Sequence, residues 1–287
     1  MDLSPGKYYD WKGRYGRDND HNASVPRDHW LDDWERSAIL AYHGEHPEAG
    51  YRRLTYMMMD QGIVAVSPTT TYNVLSQAGL MGKRKPAGNA KGRGFQQPEK
   101  AHDHWHVDIT YLNIAGTFYY MCSVLDGFSR VLVYWEIREQ MKTQDVEIVL
   151  LRAKEAWPNA KPRLITDNGP QFVARDFKSF VRVCGMTHVR TSPYYPQSNG
   201  KLERWHQSLK TECIRTKTPL SIEDARRVVK AYVHEYNHHR LHSAIGYIAP
   251  IDKLNGKATQ IFTRRDESLA QARKQRTLKR SRPNQAA

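Results

Sequence analysis

Cysteine is scarce in this 287-residue chain, with only Cys122, Cys184 and Cys213. Their odd number and wide spacing exclude a disulfide framework and a C-x-x-C zinc site, and fit the reduced thiols of a cytosolic protein. Cys122 and Cys184 lie in apolar stretches and read as packing residues. No apolar run approaches the ~20 residues of a membrane-spanning helix. The N-terminus lacks the apolar segment of a signal peptide, so a cytoplasmic location off the membrane is expected. No heptad run offers a coiled coil. Acidic residues are outnumbered, 30 against 44 Lys and Arg, which leaves a formal net charge of +14. Such a surplus draws polyanions before any specific contact forms, and it favours nucleic acid over an anionic membrane surface.

With 39% hydrophobic residues the chain can bury one core of moderate size and one or two small ones, so two or three modules are expected. Residues 1–30 are rich in Gly, Asp, Asn and Tyr, show little periodicity and read as irregular. Residues 31–82 read as a helical module. A first helix covers Trp34 to Tyr42, and a second covers Tyr51 to about Asp60, with Tyr51, Leu54 and Met58 on one face. Gly62 ends it. Ser67-Pro68 then supplies an N-cap and a first-turn proline, and Gly79 closes a third helix. On that third helix Thr71, Val74 and Ala78 point one way, while Thr70, Asn73 and Gln77 form a polar stripe on another side. A helix packed on one side and polar on the other suits base recognition in a major groove, although a merely solvated stripe looks the same. The basic pair Arg52-Arg53 and the compact spacing favour a helix-turn-helix DNA-binding module. Residues 83–100, rich in Gly, Pro, Lys and Arg, read as an extended basic linker that either tracks phosphates or is simply solvated.

From residue 104 the period becomes that of strands. HWHVDITYLNI, GTFYYMCSVLDG and SRVLVYWEIRE predict a three-stranded meander with turns at Ala115-Gly116 and around Gly127. Helix is expected from Thr143 to about Trp157, strand at Arg163–Thr166, helix at Gln171–Cys184, strand at His188–Thr191, and helix again from Asn199. This is the order of a ribonuclease H-like α/β core with a mixed five-stranded sheet. Alternation puts His104, His106, Asp108 and Thr110 on one face of the first strand and Trp105, Val107, Ile109 and Tyr111 on the other. The paired histidines read as solvated or hydrogen-bonded rather than as zinc ligands, as do His238, His239 and His242.

Three acids stand in unusual places. Asp108 lies inside a strand-like run, Asp167 ends the apolar Leu164-Ile165, and Glu203 sits near a helix start. Carboxylates withdrawn from water need a counter-charge. Three of them converging from separate elements suit a pair of Mg²⁺ ions, which take oxygen ligands and sit about 3.5–4 Å apart in phosphoryl-transfer sites. Taken singly, Asp167 also reads as a turn residue before Asn168-Gly169, and Asp108 as a strand Asp satisfied by N–H groups. Asn199 can cap the helix of Glu203, on which Gln207 and Lys210 follow at i+4 and i+7; a solvated charged face is the alternative.

The stretches Trp105–Tyr111, Leu125-Asp126-Gly127 with Ser129-Arg130, Asp167–Phe172, Ser192–Glu203 and Tyr236–Pro250 resemble, in order, the DDE recombinases. This superfamily holds transposases and retroviral integrases, and the similarity is to transposases of the IS-three family of bacterial insertion sequences. The resemblance implies an integrase-like catalytic domain over 101–255, with Asp108, Asp167 and Glu203 as metal-binding catalytic residues and Mg²⁺, or Mn²⁺ in its place, as cofactor. Asp126 belongs to a turn in that pattern. It further implies DNA contacts by Lys210, Gln207, Lys201, Arg204, Tyr194, Tyr195 and Asn168, beside Thr70, Asn73, Gln77, Arg52 and Arg53 of the helical module. Gln207 stands where related enzymes carry a basic residue, so its contact would be a hydrogen bond. The zinc module of retroviral integrases has no counterpart here.

The implied function is metal-dependent strand cleavage and strand transfer at insertion-sequence ends in a bacterial, nucleoid-associated setting. Partners would be double-stranded DNA, further copies of the chain on that DNA, and an upstream-frame protein or its fusion. A catalytically silent repressor derived from a transposase is the alternative class, and a lone ribonuclease H-like nuclease a third. Residues 256–287 read as a basic tail, helical from about Arg264, that binds phosphates or a partner or else frays.

Overall fold

The computed structural model describes residues 4–15, 30–82, 97–190 and 200–281. The expectation of an irregular N-terminus is corrected at Pro5–Arg14, which is a helix, α1, preceded by Ser4 with Pro5 in its first turn. Proline's fixed φ suits a helix start, and this local signal outweighs the weak periodicity. Residues 16–29, and most of the basic linker at 83–96, lie outside the described residues.

Three helices follow. Asp33–Glu45 (α2) begins at a capping box in which the Asp32 backbone N–H donates to Glu35 Oε2 at 2.8 Å. Tyr51–Asp60 (α3) and Pro68–Gln77 (α4) have the anticipated limits. Ser67 Oγ accepts from the Thr70 N–H at 3.2 Å, and Gly79 adopts φ +71°, which a side chain would resist. Ile39, Leu54, Met58, Val64, Val66, Val74 and Leu75 make a small core. Thr71 faces inward as expected, with its Oγ1 2.8 Å from Thr55 Oγ1. Ala78 does not. The helix ends before it, and Leu75 fills the packing position instead.

The sheet has the order β3-β2-β1-β4-β5, the mixed five-stranded arrangement anticipated. His104–Ile114 (β1), Thr117–Asp126 (β2) and Leu132–Arg138 (β3) form the antiparallel meander. Arg163–Thr166 (β4) and Thr187–Arg190 (β5) add in parallel beyond β1. At the β1–β2 turn Ala115 and Gly116 both take positive φ, the mirror-image turn that matches strand twist. One face of the sheet packs on Thr143–Ala156 (α5) and Arg175–Val183 (α7) through Trp105, Val107, Cys122, Val124, Leu150 and Phe177. A single helix over Gln171–Cys184 is corrected to two. Pro170–Val173 (α6) is separated from α7 by extended Ala174, and Phe172 meets Phe177 edge to face with ring centroids 5.6 Å apart.

The other face packs on Gly200–Ser208 (α8), which continues as a π-helical turn at Leu209–Ile214 and a last turn at Arg215–Lys217 (α9), and on Ile222–His238 (α10). Leu112, Met121, Leu125, Ile137, Leu202, Trp205, Leu209 and Val229 form this second core. At about 1.5–3 kcal/mol for each large apolar side chain buried, the two cores dominate the stability of the region built on the sheet. They also remove one of the two alternatives for the paired histidines: His104 and His106 are buried rather than solvated, because helices cover both faces of the sheet. The α10 cap is as expected, with Ser221 Oγ accepting from the Asp224 N–H at 3.1 Å.

Pro250–Leu254 (α11) precedes a long helix, Ala258–Ser281 (α12). The tail is helical but is not a frayed extension. Arg265 pairs with Asp60, Arg276 with Glu35, and Lys279 with Asp32, so α12 returns to the N-terminal helices. Among the described residues no helix is long and apolar enough to cross a membrane.

Candidate active site

β1 pairs with β4 only from His104 to His106, whose partner is Ile165. Two places further along this register stand Asp108 and Asp167, where the strands have parted and their side chains are freed from the ladder. Thr166 ends β4, and the Asp167 carboxylate accepts from the Gly169 N–H at 2.9 Å. On the α8 face, Asp108 is paired across β2 with Ser123. Leu202 and Trp205 pin α8 to this face, and Trp205 Nε1 donates to Ser123 Oγ at 3.3 Å. That anchoring carries Glu203, exposed on the same helix, over the first strand.

The three acids feel one another. Burial pushes the Asp108 carboxyl up to about 7; the negative charge of Asp167 adds to this, and that of Glu203 adds less. A hydrogen bond from the Ile109 N–H and the charge of Lys210 work in the opposite direction. Lys210 lies in the π turn, half-buried, its ammonium pushed down by burial and by Arg215 while Asp108 supports it. Among the described residues no three His, Cys, Asp or Glu side chains already close into a metal cage. The surroundings nevertheless fit cations: the acids share one negative region, and Lys210 contributes limited compensation.

His206, not singled out from sequence, lies between Asp108 and Ser123. Its Nδ1 is 3.6 Å from Asp108 Oδ2 and its Nε2 3.3 Å from Ser123 Oγ. The proximity to a carboxylate would favour an imidazolium, but burial wins and pushes the ring down to about 3, with Lys210 adding to the shift. A neutral imidazole follows. The only sequence signal was its place one turn beyond Glu203.

The other predicted contacts divide. Gln207 and Asn168 are exposed beside the acids on their own segments, whereas Arg204, also exposed, lies within electrostatic range of Arg130 and His242 instead. Lys201 turns to the β2–β3 connection, donating to the Gly127 carbonyl at 3.1 Å, and burial pushes it down to about 7, with Arg130 adding to this. Asp126 accepts from the N–H groups of His102 and Ser129 and from Ser129 Oγ, which makes it the turn residue anticipated. Tyr194, Tyr195 and the capping residue Asn199 lie outside the described residues. On α4, Asn73 and Gln77 are exposed, with Gln77 accepting from Arg36 at 3.3 Å, while Thr70 Oγ1 is 2.9 Å from Ser67 Oγ. Arg52 is exposed and donates to the Tyr51 hydroxyl. Arg53 lies within electrostatic range of Arg240 and Glu212 in the catalytic region, so the pair does not act as a unit.

Two family models, both described as integrase core domain, match residues 98–196 and 184–250. Transposase InsD for insertion element IS2A/D/F/H/I/K of Escherichia coli is 26% identical over 242 residues, covering 78% of this chain and 80% of that protein. Transposase InsD for insertion element IS2-9 of E. coli strain K12 has the same identity, with 78% of each chain covered. A chain of the simian T-cell lymphotropic virus intasome, in complex with the PP2A regulatory subunit B56 gamma, shares the fold at TM-score 0.51. It is 19% identical, with 76% of this chain and 74% of that chain covered. The two integrase-core matches span the sheet and both helical layers, and with the transposase relatives they make this chain a polynucleotidyl transferase of the transposase/integrase type. Within that class it is a transposase.

Proposed function

We propose that this transposase cuts DNA at the ends of an insertion sequence of the IS-three family and joins the freed 3′ ends to target DNA, using Mg²⁺ or Mn²⁺. The observation that carries the reading is the placement of three acids from separate elements at one end of the sheet: Asp108 on β1, Asp167 directly after the parallel β4, and Glu203 on α8, with Asp167 and Glu203 both within electrostatic range of Asp108. Three acids set against one another on β1, after β4 and on α8 make a site that cations would relieve.

Asp108, Asp167 and Glu203 would hold the ions. When bound, such ions activate water and neutralise charge on a leaving oxygen. The chain's own groups do the rest. The neutral His206 and the Ser123 hydroxyl flank Asp108 from below. Lys210 and Gln207, on the strand-facing helix, would grip the DNA near the scissile phosphate, one by charge and one by hydrogen bonding. After cleavage the released 3′-hydroxyl takes the place of water and attacks a second phosphodiester in line, with no covalent enzyme intermediate. The polar stripe Thr70, Asn73 and Gln77 of α4 would read the terminal repeats. Assembly of several copies on DNA, with an upstream-frame protein or its fusion, belongs to the same reading. The complete set of acids argues against a silent repressor.

The test is a strand-cleavage and strand-transfer assay on duplexes carrying the terminal repeats that flank the gene. Asp167→Asn and Glu203→Gln are expected to abolish both reactions while DNA binding, followed by fluorescence anisotropy, stays near wild type. Retained strand transfer in either variant would overturn the assignment.

A further inference from the structure

Away from the three acids, where α3 meets the catalytic region, a group of cations lacks matching charge. Tyr56 of α3 stacks on Tyr247 at 5.2 Å between centroids, which holds the two parts together there. Tyr247 donates its N–H to the His242 carbonyl at 3.0 Å, and Arg53 of α3, Arg130 of the β2–β3 connection, Arg204 of α8 and Arg240 beyond α10 all lie within electrostatic range of that histidine. Burial and all four arginines push the His242 imidazole down to about 3, so the ring is neutral.

The nearby acids are already engaged. Glu212 accepts from Arg240 through both oxygens and from the Tyr232 hydroxyl. Asp126 holds its own turn through His102 and Ser129. The Nε atoms of Arg53 and Arg130 are buried without a hydrogen-bond partner. Buried donors left unpaired, and like charges held close, both cost stability unless an anion completes them. Guanidinium groups are suited to phosphate, which they meet with paired N–H donors.

We infer that this junction is a phosphate-binding site for the backbone of duplex DNA as it passes from the helical module to the three acids. The inference rests on the proposed DNA substrate, and it adds Arg130, Arg240 and His242 to a contact surface that sequence limited to other residues. It explains why the two parts meet through repelling side chains: the bound strand is the missing counter-charge.

The test combines DNA binding and unfolding of the full chain with Arg53→Gln and Arg130→Gln, using a generic linear duplex because backbone binding is independent of sequence. Each variant is expected to bind roughly tenfold more weakly, with a salt dependence shallower by about one in the log–log slope. Without DNA, its unfolding temperature should hold or rise by about 2–4 °C, because an unpaired cation has been removed. Arginines with a structural role would give the reverse, a clear fall in unfolding temperature, and that result overturns the inference. So does wild-type affinity and salt slope in Arg53→Gln, which carries the test alone if Arg130→Gln fails to fold. Inorganic phosphate that raises the unfolding temperature of wild type but not of the variants, with DNA binding unchanged in them, would assign the site to a small phosphate-bearing molecule and also overturn it. Absence of salt-dependent DNA binding by wild type would instead remove the underlying substrate reading.

Discussion

Arg276 and Glu35, 241 positions apart in sequence, meet in a buried ion pair. Arg276 Nε lies 3.1 and 3.0 Å from the two Glu35 oxygens, and Nη2 lies 2.7 Å from Oε1. The same Nη2 donates to the Ala65 carbonyl at 2.9 Å. The end of the chain is thereby a structural part of its first helical module. Arg276→Met would leave Glu35 charged, buried and uncompensated, at a cost of about 3–5 kcal/mol. Chemical denaturation should show that loss, and the double variant Arg276→Met with Glu35→Leu should recover much of it. A single variant as stable as wild type would mean that α12 is not held by this pair.

Asp108 makes stability depend on pH in a defined direction. Its carboxyl is raised from the ordinary 3.8 to about 7 in the folded protein, so the folded state holds the proton more tightly than the unfolded state. Below about pH 4 both states are protonated and the carboxyl carries no penalty. As pH rises towards 7 the penalty grows, and above that it is complete, on the order of 4 kcal/mol. Asp108→Asn removes the group. The stability difference, variant minus wild type, should therefore be near its minimum at pH 4 and largest above pH 7 in metal-free buffer. A difference independent of pH would contradict the account of this site.

Gly127 allows the β2–β3 connection to lie against β1. A Cβ there would stand 2.8 Å from His106 Nε2 and 3.0 Å from its Cδ2, with the His104 carbonyl oxygen at 3.3 Å. Because His106 is fully buried, it has little room to yield. Gly127→Ala should cost about 1–3 kcal/mol by overpacking. Thermal unfolding reads this directly, and an unchanged midpoint would mean that the connection can move away.

Much of this was legible in the chain because it is local. Ser67-Pro68 and Gly79 bracket α4, Ala115-Gly116 turns the first hairpin, and the alternation around Asp108 gives its face correctly. Contacts between distant segments were not. Nothing near Arg276 announces Glu35, and nothing in HWH reveals that the β2–β3 connection and α8 close over the face carrying His104 and His106. The break at Ala174 is likewise invisible in an unbroken helical pattern. It follows from seating Phe172 and Phe177 together in the core. Arg53 looked like the twin of Arg52, yet successive helical residues point in different directions, and only the docking of α3 shows where each one goes.

The most direct measurement of the proposed metal site is Mn²⁺ uptake by the protein alone, followed by the loss of the free-ion signal in electron paramagnetic resonance. Wild type should bind the ion, and Asp108→Asn, Asp167→Asn and Glu203→Gln should each weaken that binding by at least about tenfold. Uptake by all three folded variants equal to that of wild type would contradict the assignment of these carboxylates as the metal site of the transposase.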